Sequence, residues 1–254
     1  MITMTGHTLS EKIARIIKAF QLNYKPVCVY GCESMPAGAI HSTSVSDCVA
    51  ETMFRISTGE AGSAAYVGSD MEKGLCRCIG GPAWFGYTGF DPRIIYIMST
   101  GSAECDSSPK FLKMSPEVAA RTYEAPGRIR PIGKYTVMAA CDDVPDDADI
   151  KCIVCFGTSE QVRQISALIH YRSPNTFGAV SVPWGPACGT FVTYPAGLAE
   201  NTPADTAFVG PVDPSARAWM PADVMGIGIP ARMAAHMADD IDGSFLVKSA
   251  HHRS

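Results

Sequence analysis

Two thiols run straight into a glycine pair and a proline in Cys76-Arg77-Cys78-Ile79-Gly80-Gly81-Pro82-Ala83-Trp84-Phe85-Gly86. That order reads as a loop opening a helix. Proline suits the first helical position, where a missing N–H costs nothing. The glycines leave backbone N–H groups uncovered, and these with the helix dipole favour an anion, so Gly80 and Gly81 are candidate cofactor-binding residues. A thiolate at Cys78 would be stabilised by the same field. The bland alternative is a tight turn holding two small buried residues.

Ten cysteines are spread over the 254 residues. Other thiols stand where function uses them. Cys48 lies near a predicted helix start and Cys188 lies in a glycine-rich loop, Gly185-Pro186-Ala187-Cys188. Cys76 and Cys78 share a side if the segment is extended. Cys28 and Cys32 share a face of a presumed strand but would be ~13 Å apart at ~3.3 Å per residue. Gly31 could supply a bend, which keeps Cys32 as a candidate ligand. Cys152 and Cys155 fall inside the apolar run 150–156, where positions three apart point to opposite faces, so both read as core residues. Cys105 reads as a surface thiol and Cys141 as structural. No tight ferredoxin spacing or paired C-x-x-C zinc pattern occurs. A metal site would therefore have to be assembled from dispersed cysteines.

Bulk properties narrow the classes. Apolar residues make up 46% and charged residues 18%, which favours a packed core over disorder. The net charge is −4 and no Lys/Arg cluster stands out, which argues against nucleic acid. The segment Met1–His7 lacks the basic start and apolar run of a signal peptide. No apolar stretch approaches the ~20 residues of a membrane helix. A cytoplasmic protein is expected, and reducing conditions argue against a disulfide framework. Twelve methionines beside the ten cysteines fit an anaerobic or strongly reducing host.

The elements that must position these residues follow from periodicity and caps. Helical spacing runs from Leu9 to Leu22 and from Val45 to Ile56, with Gly59 as a C-cap. Thr158 and Gln161 form a capping box opening a helix to Tyr171. Ser115-Pro116-Glu117 starts another helix, and Pro230–Met237 forms the last. Strands are expected at 26–30, 94–98, 134–140, 150–156, 177–182, 190–194 and 206–209. The mixture lacks a βαβ rhythm and predicts an α+β fold, with a largely antiparallel sheet, flanking helices and Gly/Pro-rich loops. A single domain is expected, in two subregions of about 1–130 and 131–254, with a linker near 126–131 or in the acidic loop 142–149 (boundaries from composition). One short echo joins Gly81-Pro82-Ala83-Trp84 to Gly185-Pro186-Ala187-Cys188, either by chance or as two loops facing one site.

The chain resembles an uncharacterised prokaryotic family, domain of unknown function 169. The resemblance spans roughly Leu9 to Asp239 and rests on four segments. They are Pro26-Val27-Cys28-Val29, Ser46-Asp47-Cys48, Cys78-Ile79-Gly80-Gly81 with Phe85-Gly86, and Gly185-Pro186-Ala187-Cys188 with Arg217 and Gly228-Ile229-Pro230. The resemblance implies a distribution in archaea and anaerobic bacteria and no established activity. The family pattern singles out cysteines that match Cys48, Cys78 and Cys188, which implies a metal or iron–sulfur site assembled from three separated segments, with Cys32 or Cys76 as the fourth ligand.

Other residues carry less. His41, His170 and His236 read as surface or capping histidines. Asp142–Asp149 lacks the glycine and final glutamate of a calcium loop. No nucleophile elbow, P-loop or dinucleotide fingerprint occurs, so no nucleotide motif is present. Arg217 and Arg232 could hold an anion, and Trp84, Phe85, Tyr87 and Trp184 could wall a pocket. The reading is an iron–sulfur or other metal-binding protein with a redox role, which implies a redox partner or a small-molecule ligand and is compatible with a homodimer. The alternatives are a non-catalytic small-molecule-binding accessory module and a thiol enzyme using Cys78.

Overall fold

The computed structural model describes residues 6–69, 80–102, 108–214 and 218–249. The chain begins with α1 (Gly6–Phe20), followed by β1 (Val27–Cys32) and the two-residue β2 (Ile40–His41). Next come α2 (Val49–Thr58), β3 (Ala64–Gly68), the single turn α3 (Gly81–Trp84), α4 (Arg93–Met98) and α5 (Pro116–Glu124). Then follow β4 (Tyr135–Ala140), β5 (Ile150–Thr158), α6 (Ser159–Ile169), β6 (Val180–Ser181) and β7 (Ala207–Gly210). β8 (Val224–Pro230), α7 (Ala231–Asp240) and α8 (Phe245–Lys248) close the described chain.

All eight strands form one sheet in the order β2-β3-β4-β1-β5-β8-β7-β6. Its inner pairs are antiparallel, and the parallel pairs are the short edges β2/β3 and β6/β7. The fold is α+β with a mostly antiparallel mixed sheet. β1 lies between β4 and β5, so strands from both sides of residue 130 share the sheet. No helix among the described residues is long and apolar enough to cross a membrane.

Strand alternation sends side chains to two faces. Val27, Val29, Met138, Ala140, Cys152, Val154 and Phe156 meet α2 and the segments around Trp84 and Cys188 on one face. Cys28, Ile153, Cys155, Ile227 and Ile229 meet α1, α6 and α7 on the other. Toward β3 and β4 that second face carries Tyr30, Tyr66 and Tyr135.

The cap signals hold. Thr158 and Gln161 form the capping box of α6, Ser115 caps α5, and Gly59 ends α2 in the left-handed region. Several expectations are corrected. Residues 94–98 are helical rather than extended, because Asp91 accepts from the Arg93 N–H. Ile94, Ile97 and Met98 then form a buried helical stripe and Tyr96 points out. Residues 190–194 are not a strand, since Gly189–Thr193 form a π-helical turn. The strand expected at 177–182 shrinks to Val180–Ser181. β3 and β8 escape the periodicity because both are buried and rich in Ala and Gly.

The sheet also brings Cys28 and Cys141 to a Cα separation of 5.4 Å, and they form a disulfide. That separation lies in the normal range for a bridge. Pairing of Val27 with Ala140 in the antiparallel register sets it, against the expectation of reduced thiols throughout.

Candidate functional site

Cys188 is held by the π-helical turn that follows it, and that turn depends on three glycines. A Cβ on Gly226 would lie 2.5 Å from Phe191 Cζ, and one on Gly228 would lie 2.6 Å from the Phe191 carbonyl oxygen. On the neighbouring strand, a Cβ on Gly210 would meet Thr190 Cγ2 at 2.9 Å. Gly210 pairs with Gly226 across β7/β8. The bare strands form a hollow into which Thr190 and Phe191 drop, edge-on to Phe156. Cys188 is thereby buried at 3% exposure.

The α3 turn docks on this segment. The Trp84 ring lies where a Cβ on Gly189 would meet it at 3.0 Å, and it stacks edge-to-face on Tyr194. The Thr193 hydroxyl donates to the Trp84 carbonyl. The two halves of the Gly-Pro-Ala echo therefore pack against one another. Trp84 is 2% exposed, yet its indole N–H has no hydrogen-bond partner among the described residues. That nitrogen lies 3.6 Å from where a Gly80 Cβ would be. Buried donors are nearly always paired, so an orphan marks a place where something binds or must be explained.

Cys48 is the N-cap of α2, so the helix starts at Val49 rather than at the expected Val45. Its backbone N–H donates to Ser46 Oγ at 3.0 Å, and Ser46 Oγ donates to Glu51. Cys48 is half-buried and packs against the core layer that contains Cys188 and Trp84. The structure thus places two of the three principal thiols against one core. Cys76 and Cys78 lie outside the described residues, as do Cys105 and Arg217.

Cys32 goes elsewhere. It packs beside the tyrosine cluster of the opposite face and donates to the Ser34 carbonyl at 3.2 Å. Partial burial, then Glu33, raises its thiol pKa. Cys152 and Cys155 are core residues on opposite faces, as expected. Burial alone pushes the Cys155 thiol up to about 12 and the Cys152 thiol higher still. Gly80 is the N-cap of α3, which begins at Gly81, with Pro82 one position later than expected. A single turn sums few peptide dipoles, so the field argued for Cys78 is smaller than a full helix would give. Among the described residues no three His, Cys, Asp or Glu converge as a metal-binding group.

The aromatic residues divide. Trp84 and Phe85 are core, and Tyr87 bonds the Gly133 carbonyl and the Thr136 hydroxyl. Trp184 lies beside Tyr123, with Lys113 Nζ 3.7 Å over its ring. Burial there lowers the Lys113 pKa. His41 caps the 42–44 turn through Nδ1, and His170 is the C-cap of α6. The acidic loop is solvated, with Asp142 and Asp149 paired to Lys25 and Lys151.

Sequence reasoning missed the role of Gly226 and Gly228, whose alternation with Ile227 and Ile229 was the available signal.

This arrangement defines an α+β protein with a thiol-bearing core layer on one face of an eight-stranded sheet. The chain belongs to the uncharacterised ArCR family, domain of unknown function 169, whose pattern matches residues 15–240. Comparison with curated proteins and with solved structures gave no match.

Proposed function

We propose that this protein binds an iron–sulfur cluster or another thiophilic metal through Cys48, Cys78 and Cys188, with Cys76 as the fourth ligand, and serves in redox chemistry. The buried indole N–H of Trp84, without a hydrogen-bond partner among the described residues, carries the reading. It stands over Gly80, two residues after Cys78 in sequence, and its ring packs against the turn that follows Cys188. Thiolate and inorganic sulfide both accept hydrogen bonds, and such bonds tune a cluster's potential. The donor set fits a soft metal, because thiolates suit thiophilic ions, and Cys48 and Cys188 pack in one apolar core layer. When bound, a cluster would supply one-electron transfer. The protein's own part is to fix the Cys188 backbone in its glycine hollow, exclude water with the aromatic layer and present the indole donor.

Cys32 packs on the opposite face and takes no part. The role implies a redox partner. Metal, iron and sulfide analysis with a visible spectrum on anaerobically purified full-length protein tests the proposal. Stoichiometric metal that is lost in Cys188→Ser and in Cys48→Ser is expected. Metal-free protein under those conditions overturns it.

A further inference from the structure

On the sheet face opposite the thiols, a cavity of about 590 Å³ opens between the end of α6, the helix α7 and two loops. Its volume falls within the usual range of small-molecule sites. The floor is apolar: Leu168 and Met237 belong to the core at 1% and 2% exposure, and Met233 lies beside them. The outer wall is tied down, because Thr206 Oγ1 donates to the Gly178 carbonyl at 2.7 Å and Ala207 N to the Ala179 carbonyl at 2.9 Å.

Two arginines line this cavity. Arg172 comes from just beyond α6 and Arg232 from the first turn of α7, with His236 one turn further on. Arg172 Nε donates to Asp240 at 2.5 Å, and Arg232 Nη2 donates to Asp205 at 3.1 Å. Each ion pair uses one N–H of a group that carries five, so both forks keep donors for another acceptor. The aspartates orient the guanidinium groups and balance their charge. Forks of this kind recognise carboxylate or phosphate bidentately.

The geometry points to a binding site for a small amphiphilic acid, its carboxylate or phosphate held by the arginines that line the cavity, Arg172 and Arg232, and its apolar body laid on Met233, Met237 and Leu168. The site is separate from the thiol layer, so it stands or falls independently of the metal proposal.

Methionine methyl NMR on the full chain tests it, with Met233→Leu and Met237→Leu assigning the two signals. The probes are hexanoate, hexyl phosphate and hexanol. Saturable shifts of both methyls by hexanoate or hexyl phosphate, with hexanol at least fivefold weaker, are expected, and the tighter acid names the headgroup. The Arg232–Asp205 pair is solvent-exposed, so Arg232→Gln leaves the fold intact. It should weaken the acid about tenfold, the worth of one charge-assisted hydrogen bond. Asp205→Asn, which removes the competing carboxylate, should bind as tightly or more so. No saturable shift, hexanol binding within fivefold of the acids, an Arg232→Gln loss under threefold, or weaker binding in Asp205→Asn overturns the site.

Discussion

The Thr193 hydroxyl donates to the Trp84 carbonyl across 109 positions of sequence, with both residues buried. The same hydroxyl approaches the Cys188 carbonyl at 3.4 Å. One side chain thus ties the turn after the glycine pair to the turn after the buried cysteine. Thr193→Val keeps the shape and removes the donor. Leaving a buried acceptor unpaired costs about 1–3 kcal/mol. Urea denaturation should show a lowered midpoint with an unchanged slope.

The glycine hollow makes a graded prediction. In Gly226→Ala the new methyl meets the Phe191 ring, and in Gly228→Ala it meets Phe191 backbone. A ring can turn more readily than a backbone can shift. Gly226→Ala should cost about 1–3 kcal/mol, the usual range for overpacking, and Gly228→Ala more. Thermal melts of the two variants check the order. Equal, unperturbed melting temperatures would remove the hollow as the anchor of Cys188.

The Cys28–Cys141 bridge spans a sequence separation of 113. Bridges that close long loops restrict the unfolded chain most, and losing one costs about 2–5 kcal/mol. Reductant should lower the melting temperature of the wild type. Cys28→Ala should melt lower from the start and show no further response to reductant.

Alkali should unfold the protein through its buried thiols. Burial raises the Cys155 thiol from 9.0 to about 12, and Cys152 and Tyr194 shift the same way. A raised folded-state pKa means the native state holds the proton longer than the unfolded chain does. The stabilisation is therefore complete below about pH 9 and is lost as pH rises toward about 12. Urea midpoints should fall through that window, and Cys155→Ala should flatten part of the fall.

Local chemistry made much of the fold legible. Thr158 with Gln161, Ser115 before Pro116, and Gly59 after α2 are caps that act within one turn, so sequence alone placed those helix ends. The buried run 150–156, which extends to Thr158 in β5, and the opposite faces of Cys152 and Cys155 were legible from apolar content and strand alternation. The grouping of Cys48, Cys78 and Cys188 came from the family resemblance, and the described residues place Cys48 and Cys188 in one core layer. Sequence could not decide between strand and helix for 94–98 or 190–194, because short apolar runs suit both. Docking decided them: Ile94 and Met98 join the core as a helical stripe, and Phe191 fits only where Gly226 and Gly228 lack side chains. The pairing of Cys28 with Cys141 and the meeting of Arg172 and Arg232 in one cavity wall depend on strand register and helix placement across the whole chain. Those contacts join residues far apart in sequence, and only the closed sheet brings them within reach.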